Sequence, residues 1–295
     1  MSDHRSSPSH HRLPSLCWSG LTHRGRVRVN NEDAFLGLAF DSHEVRHLGK
    51  TGEASLADCD FVFAVSDGMG GAKSGEFASR IAIDRITRLL PRAFRQPATA
   101  KGPPGGAVDF FAVLAELVGA IHHDLLHLGQ AYEECAGMGA TLSLAWFAPG
   151  RMFFAHVGDS RIYQLPQAGG LAQLTHDQSE VGRLRREGRL SEREARAHPR
   201  RHILEQVLGA GQDTVEPQIG VVAWQPGDRF ILCTDGVTDG LWDGSMDELI
   251  RTPVAVRVTQ PPAQRLVEEA VLLSGRDNAT AVVVELGGGP GHSGL

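Results

Sequence analysis

Apolar runs that stop at an aspartate constrain this chain more than any other feature. Phe61-Val62-Phe63-Ala64-Val65-Ser66 leads into Asp67-Gly68, and Phe230-Ile231-Leu232-Cys233-Thr234 leads into Asp235-Gly236, with Asp239 one helical turn on. Ala155-His156-Val157-Gly158 precedes Asp159, Asp277-Asn278 stands just before Thr280–Leu286, and Glu32-Asp33 just before Ala34–Phe40. Short runs of Val, Ile, Leu and Phe bounded by Gly, Pro or Asp read as strands. The runs at 34–40, 60–65, 141–147, 152–157, 162–165, 230–234 and 280–286 fit that description. Ala148-Pro149-Gly150 joins two of them as a hairpin. Strand ends at one sheet edge lie close in space even when distant in sequence. Carboxylates gathered there repel one another unless a cation stands between them. Octahedral Mg²⁺ or Mn²⁺ with oxygen ligands meets that need. Glycines after Asp67 and Asp235 let backbone approach closely and present carbonyl oxygens. Any one Asp-Gly is adequately explained as a turn. The four aspartate sites together, Asp67, Asp159, Asp235 and Asp277, are not.

Three helical patterns accompany the strands. Phe111, Leu114, Val118, Ile121, Leu125 and Leu128 step by three and four, with Gly129 as a stop. Phe77, Ile81, Ala82, Ile86 and Leu89 mark a helix over 75–90, with Pro91 at its exit. A third pattern spans 261–274. Strands, two consecutive helices, many strands, then a helix and a last strand argue for an α+β fold of antiparallel sheets packed on helices. Residues 1–15 and 287–295 read as disordered tails around one domain, 16–286, and 96–106 as a breaker-rich loop.

Composition narrows the function classes. With 29 Lys and Arg against 35 Asp and Glu, the net charge of −6 does not attract nucleic acid in bulk. No apolar run reaches about 18 residues and no secretory signal opens the chain, so a cytoplasmic protein without membrane contact is expected. Four widely spaced cysteines suggest neither a zinc ribbon nor a disulfide framework, and Cys233 reads as a buried structural thiol. His123 and His127, one turn apart, lie off the apolar stripe and read as a solvated face.

The segments GRVRVNNEDAF (25–35), VSDGMGGAKSGEFAS (65–79), GMGATL (137–142), HVGDSRIYQL (156–165), LTHDQS (174–179), TDGVTD (234–239) and DNATAVVV (277–284) together resemble the metal-dependent type 2C Ser/Thr protein phosphatases (PPM), most closely their bacterial single-domain members. The resemblance covers about Thr22 to Glu285. It implies an α/β/β/α sandwich and a Mn²⁺- or Mg²⁺-dependent phosphatase that uses a metal-activated water on phosphoserine or phosphothreonine. Carried over by motif, Asp67 bridges two metals, the Gly68 carbonyl binds one, Asp235 and Asp277 complete that site, and Glu32 and Asp33 act on the second, largely through bound water. Asp159, Asp235 and Asp239 match a third, weaker position, and Arg28 matches the phosphate-binding arginine. Arg26 reads as a solvated surface residue. Phosphorylated proteins are the implied substrates and a Ser/Thr kinase the implied opposing partner, with nothing requiring more than a monomer.

Two positions depart from the family pattern. Met69 stands where eukaryotic relatives carry a histidine proposed as general acid, and a thioether donates no proton. Gln178 replaces a frequent histidine, which puts a side-chain role there in doubt. Residues 179–204, rich in Arg and Glu, correspond to the family's mobile flap. Ser179 and Arg183 fall in it, and its arginines are candidates for contacting phosphopeptide or its acidic flanks.

Overall fold

Each central strand alternates between two apolar partners, and that alternation stacks the molecule in layers. A computed structural model describes residues 14–41, 43–57, 59–70, 74–95 and 108–288. In β5 (Asp60–Met69), Phe61, Phe63 and Val65 enter one core while Val62 and Ala64 enter another. In β14 (Ala279–Gly288), Val282, Val284 and Leu286 share the first of these cores, and Ala281 and Val283 face a third.

The first sheet runs β10 (Ala172–Gln173), β9 (Arg161–Leu165), β13 (Arg229–Cys233), β14, β1 (Pro14–His23), β4 (Thr51–Ser55). The second runs β11 (Leu208–Gly209), β6 (Gly139–Ala140), β5, β7 (Leu142–Ala148), β8 (Arg151–Val157), β12 (Gln218–Ala223). On it, β2 (Asp33–Phe40) pairs with β5, and β3 (Val45–His47) with β2. Every pairing is antiparallel. Phe61, Phe147, Phe230 and Val284 fill the space between the sheets. Helices α1 (Ser74–Arg95) and α2 (Phe110–Ala131) cover the second sheet through Ala82, Ile86, Val118 and Ile121. Helices α5 (Asp235–Gly240), α6 (Asp243–Arg251) and α7 (Pro262–Leu273) cover the first. The result is the α/β/β/α sandwich that the motifs imply. Two short helices, α3 (Glu180–Arg186) and α4 (Glu192–Ala197), form the flap region.

Several boundaries differ from the sequence reading. Pro14 and Ser15 belong to β1, and Gly287 and Gly288 to β14, so both assigned tails begin inside the sheet. Residues 1–13, 96–107 and 289–295 lie outside the described residues. Pro91 sits within α1 rather than at its exit. The buried stripe of α1 is Ala78, Ala82, Ile86 and Leu90, whereas Phe77 is half exposed. Small alanines let the helix settle close on the sheet. Helix α2 is long and apolar enough, by length and composition, to cross a membrane. Its buried positions, Leu114, Val118, Ile121 and Leu125, pack into the helix–sheet core. His123 and His127 are exposed, as their place off the stripe predicts.

Candidate metal centre

The β2–β5 ladder sets Asp33 directly opposite Asp67, so two carboxylates far apart in sequence meet at one sheet edge. Asp67 is fixed from below. Its amide donates to Thr141 Oγ1 (3.0 Å), the Thr141 amide donates to the Asp67 carbonyl (2.8 Å), and Ser66 Oγ donates to the Thr141 carbonyl (2.7 Å). Gly68 is required by close approach, because a Cβ there would stand 1.9 Å from the Gly75 carbonyl oxygen. Gly236 is in the same position against the Asn278 carbonyl, at 1.8 Å. Asp235 opens α5 and Asp239 follows on it; Asp159 lies in the β8–β9 turn, and Asp277 just before β14.

These elements converge on an open cleft of about 470 Å³. Arg28, Glu32, Asp67, Gly68, Asp159, Asp235 and Asp277 all line it. Asp33 lies buried behind this wall, and Asp239 borders an adjoining small cavity under the flap. Every residue assigned a metal or phosphate role from sequence is therefore placed at the cleft or next to it.

The electrostatics show what such a gathering costs. Desolvation, then the charges of Asp33, Asp235 and Asp159, holds the Asp67 carboxyl well above the usual range. Desolvation and Asp235 do the same for Asp159. Burial pushes Asp33 up to about 7 even though Thr280 and Thr234 donate to its Oδ2 at 2.7 and 2.8 Å. Asp235 is raised by burial, partly offset by a hydrogen bond to His202. Asp33 Oδ1 and Asp235 Oδ1 are buried without any hydrogen-bond partner, and such atoms are expensive. Basic side chains of the chain take part of the load, His202 when protonated. Arg28 Nη2 lies 2.6 Å from Asp277 Oδ2, His202 Nδ1 3.5 Å from Asp235 Oδ2, and Arg201 Nη2 3.5 Å from Asp239 Oδ2. Among the described residues, no three His, Cys, Asp or Glu side chains are already drawn together as a metal-holding group. The donor set of carboxylate oxygens plus the Gly68 carbonyl, with two orphaned oxygens, fits a hard divalent cation.

Other residues were not legible as functional. Asn278 is buried and uses its whole side chain. Its Oδ1 accepts from Glu32 N (2.7 Å), and its Nδ2 donates to the Arg24 and Asn30 carbonyls (both 2.9 Å). Thr234 and Thr280 hold Asp33. The available signal was polar residues at buried strand positions beside each Asp. Arg26 is exposed, as read from the sequence, and it also donates to the Leu272 (3.2 Å) and Ser274 (3.0 Å) carbonyls and so caps α7.

Gln178 has a definite side-chain role. Its Oε1 accepts from Gly158 N (2.8 Å) and its Nε2 donates to the Glu216 carbonyl (3.1 Å), which clips the Asp159 turn to the start of the flap. Ser179 caps α3, and Arg183 pairs with Glu187 and Glu205. Both hold the flap together and do not reach the cleft. Burial pushes the Cys233 thiol up to about 12, as suits a structural residue.

Beneath the Asp159 turn, buried His156 contacts Ser143 Oγ (2.9 Å) and the His176 carbonyl (3.0 Å). Burial holds its pKa down at about 4. A histidine depressed below its unfolded value of about 6.5 loses stability as pH falls between those two values, by up to roughly 3 kcal/mol. The acidic cleft works in the opposite direction, so the comparison must be between variants. Urea unfolding from pH 7 to 4 is expected to show His156→Gln gaining relative to wild type as the solution is acidified. Parallel pH profiles would discard this account.

Residues 50–270 match the Protein phosphatase 2C family. The chain belongs to that family. The Serine/threonine protein phosphatase PstP of Mycobacterium tuberculosis is 32% identical over 271 residues. That match takes in 92% of this chain but 45% of PstP, so the chain spans about half the length of that relative. The Serine/threonine phosphatase stp of Listeria monocytogenes is 32% identical over 264 residues, 90% of this chain and 93% of the relative. Among solved structures, an S. agalactiae serine/threonine phosphatase superposes with a TM-score of 0.74 at 26% identity, covering 92% of this chain and 99% of that one. The catalytic domain of PstP in complex with 2 manganese ions superposes at 0.69 and 30% identity, covering 93% and 99%.

Proposed function

We propose that this chain is a Mn²⁺- or Mg²⁺-dependent protein phosphatase acting on phosphoserine and phosphothreonine. One observation carries the reading: aspartates from five separate segments and from both sheets gather at one end of the sandwich, four of them lining the cleft beside Arg28 and Asp33 paired opposite Asp67, with two of their buried oxygens unpartnered. The relatives named as Ser/Thr phosphatases support it, as does the manganese found in the PstP structure.

Asp67, the Gly68 carbonyl, Asp235 and Asp277 would hold one ion. Asp67 with Glu32 and Asp33 would hold the second, and Asp159, Asp235 and Asp239 a weaker third. Ions bound there supply a more acidic water and offset charge on the phosphoryl oxygens. The chain's own part is orientation. Asn278 and Arg26 fix the segment 24–32, which brings Arg28 to the cleft mouth. A guanidinium has five N–H donors, so Arg28 keeps donors for phosphate while paired with Asp277. We assign the protein to the cytoplasm, where four free thiols are at home. Phosphoproteins modified by a Ser/Thr kinase are the proposed substrates, and the proposed working form is a monomer.

The decisive assay measures p-nitrophenyl phosphate and a phosphothreonine peptide with Mn²⁺, then with excess chelator. Activity on both with Mn²⁺ and none with chelator is expected; chelator-resistant turnover would sink the reading. Arg28→Ala is expected to raise KM about 10–100-fold, the size of a lost charge-assisted hydrogen-bond pair, with stability lowered only by what a largely exposed ion pair supplies, about 0–1 kcal/mol.

A further inference from the structure

Helix α4 of the flap buries none of its own residues, so apolar packing does not dock it. Arg196 ties it to α5. Arg196 donates Nη1 to the Thr238 carbonyl (2.5 Å) and Nη2 to the Leu241 carbonyl (2.8 Å). Both carbonyls belong to the last turn and cap of α5, where backbone acceptors lack helical partners. The guanidinium also lies 3.9 Å from the Trp242 ring centroid, a cation–π contact, and Glu192 one turn earlier on α4 holds it from the other side at 3.2 Å. Its side chain is only 20% exposed, in contrast to 41% for Arg183 and 65% for Arg189 on the same flap.

We propose that Arg196 is a latch, a positioning residue that holds the flap on α5 and thereby fixes the rim over which a peptide substrate lies. The cleft's inner wall comes from strand ends and from segment 24–32, whereas the stretch following α4 supplies His202 and Leu204 to its edge. A small aryl phosphate meets the inner wall. A phosphopeptide must also run across the edge. The flap arginines considered as peptide contacts therefore divide, and Arg196 is committed to the protein itself. This inference rests on the phosphatase reading above.

The test compares wild type, Arg196→Ala and Arg196→Lys, each with Mn²⁺. In Arg196→Ala, amide hydrogen exchange over 180–197 should accelerate about tenfold or more, as expected when a local opening loses its fastening. The kcat/KM for a phosphothreonine peptide should fall about 5–20-fold through KM, while that for p-nitrophenyl phosphate changes less than about twofold. Lysine keeps the charge but not the fork, so Arg196→Lys should recover part of both effects. Calorimetry should find Mn²⁺ binding unchanged. Unaltered flap exchange, equal losses on both substrates, or lost Mn²⁺ binding would each overturn the latch; the last would show Arg196 serving α5 alone. Should wild type hydrolyse neither substrate, the phosphatase reading fails, and hydrogen exchange still decides whether Arg196 holds the flap.

Discussion

Asp67→Asn is expected to abolish metal-dependent turnover and, at the same time, to make the metal-free protein more stable. The two effects have one cause. Asp67 faces Asp33 across the β2–β5 pair and also feels Asp235 and Asp159, so its charge opposes folding until a cation neutralises the group. A carboxyl raised above its unfolded pKa costs stability at every pH above that unfolded value, and an amide at this position removes the cost. The gain in chelator should be on the order of 1–2 kcal/mol, about 2–5 °C in Tm for a chain of this size. Mn²⁺ at 100 times its Kd should then raise the wild-type stability by about 2.7 kcal/mol, while the variant responds little. Turnover should drop at least about 10³-fold, since an ion supplies several kcal/mol to the transition state and each 1.36 kcal/mol is tenfold. Scanning calorimetry with chelator and with Mn²⁺, beside phosphatase assays, checks both arms. Equal Mn²⁺ stabilisation of the two proteins, or a variant that keeps more than a tenth of the activity, would remove Asp67 from the metal site.

The acidic centre was legible in sequence because strand ends converge by geometry. Asp67, Asp159 and Asp235 each sit where an apolar run stops, and antiparallel sheets bring such stops to one edge. The central strands β5, β7, β8, β13 and β14 were legible for the same reason: their length and Val, Phe and Leu content leave few alternatives. Strand β1 was hidden by Ser19, Gly20 and Thr22. Those residues interrupt the apolar pattern because they serve tertiary contacts, as when Ser19 Oγ accepts from Ala263 N (3.0 Å) at the start of α7. Edge strands β3, β4 and β12 bury too little to show a pattern. The Arg28–Asp277 pair, separated by 249 positions, has no local signature at all. Neither does Arg196, whose partners are backbone carbonyls.

Asn278 shows how much of the site depends on a residue that reads as an ordinary turn former. Its three hydrogen bonds join the start of β14 to both ends of segment 24–32, between which Arg28 is carried. Asn278→Ala would leave the Glu32 amide and the Arg24 and Asn30 carbonyls without these partners. Each abandoned, partly buried group costs about 1–3 kcal/mol, so a loss of roughly 3–5 kcal/mol in urea unfolding is expected. Segment 24–32 would still be tied by Arg26 to α7 and by the Gly68 amide to the Glu32 carbonyl (3.1 Å), so the fold should survive with that segment loosened. Loosening displaces Arg28 and Glu32 together. KM should therefore rise as in Arg28→Ala, and kcat should fall as well, which Arg28→Ala alone does not require. Asn278→Asp separates the contributions. It keeps an acceptor for the Glu32 amide, loses both donated bonds, and sets a new carboxylate next to Asp277. Its stability in chelator should accordingly lie below that of Asn278→Ala, and Mn²⁺ should recover part of the difference. A variant with lowered activity but an unchanged unfolding midpoint would mean that the asparagine touches the reaction directly instead of holding the segment that carries Arg28.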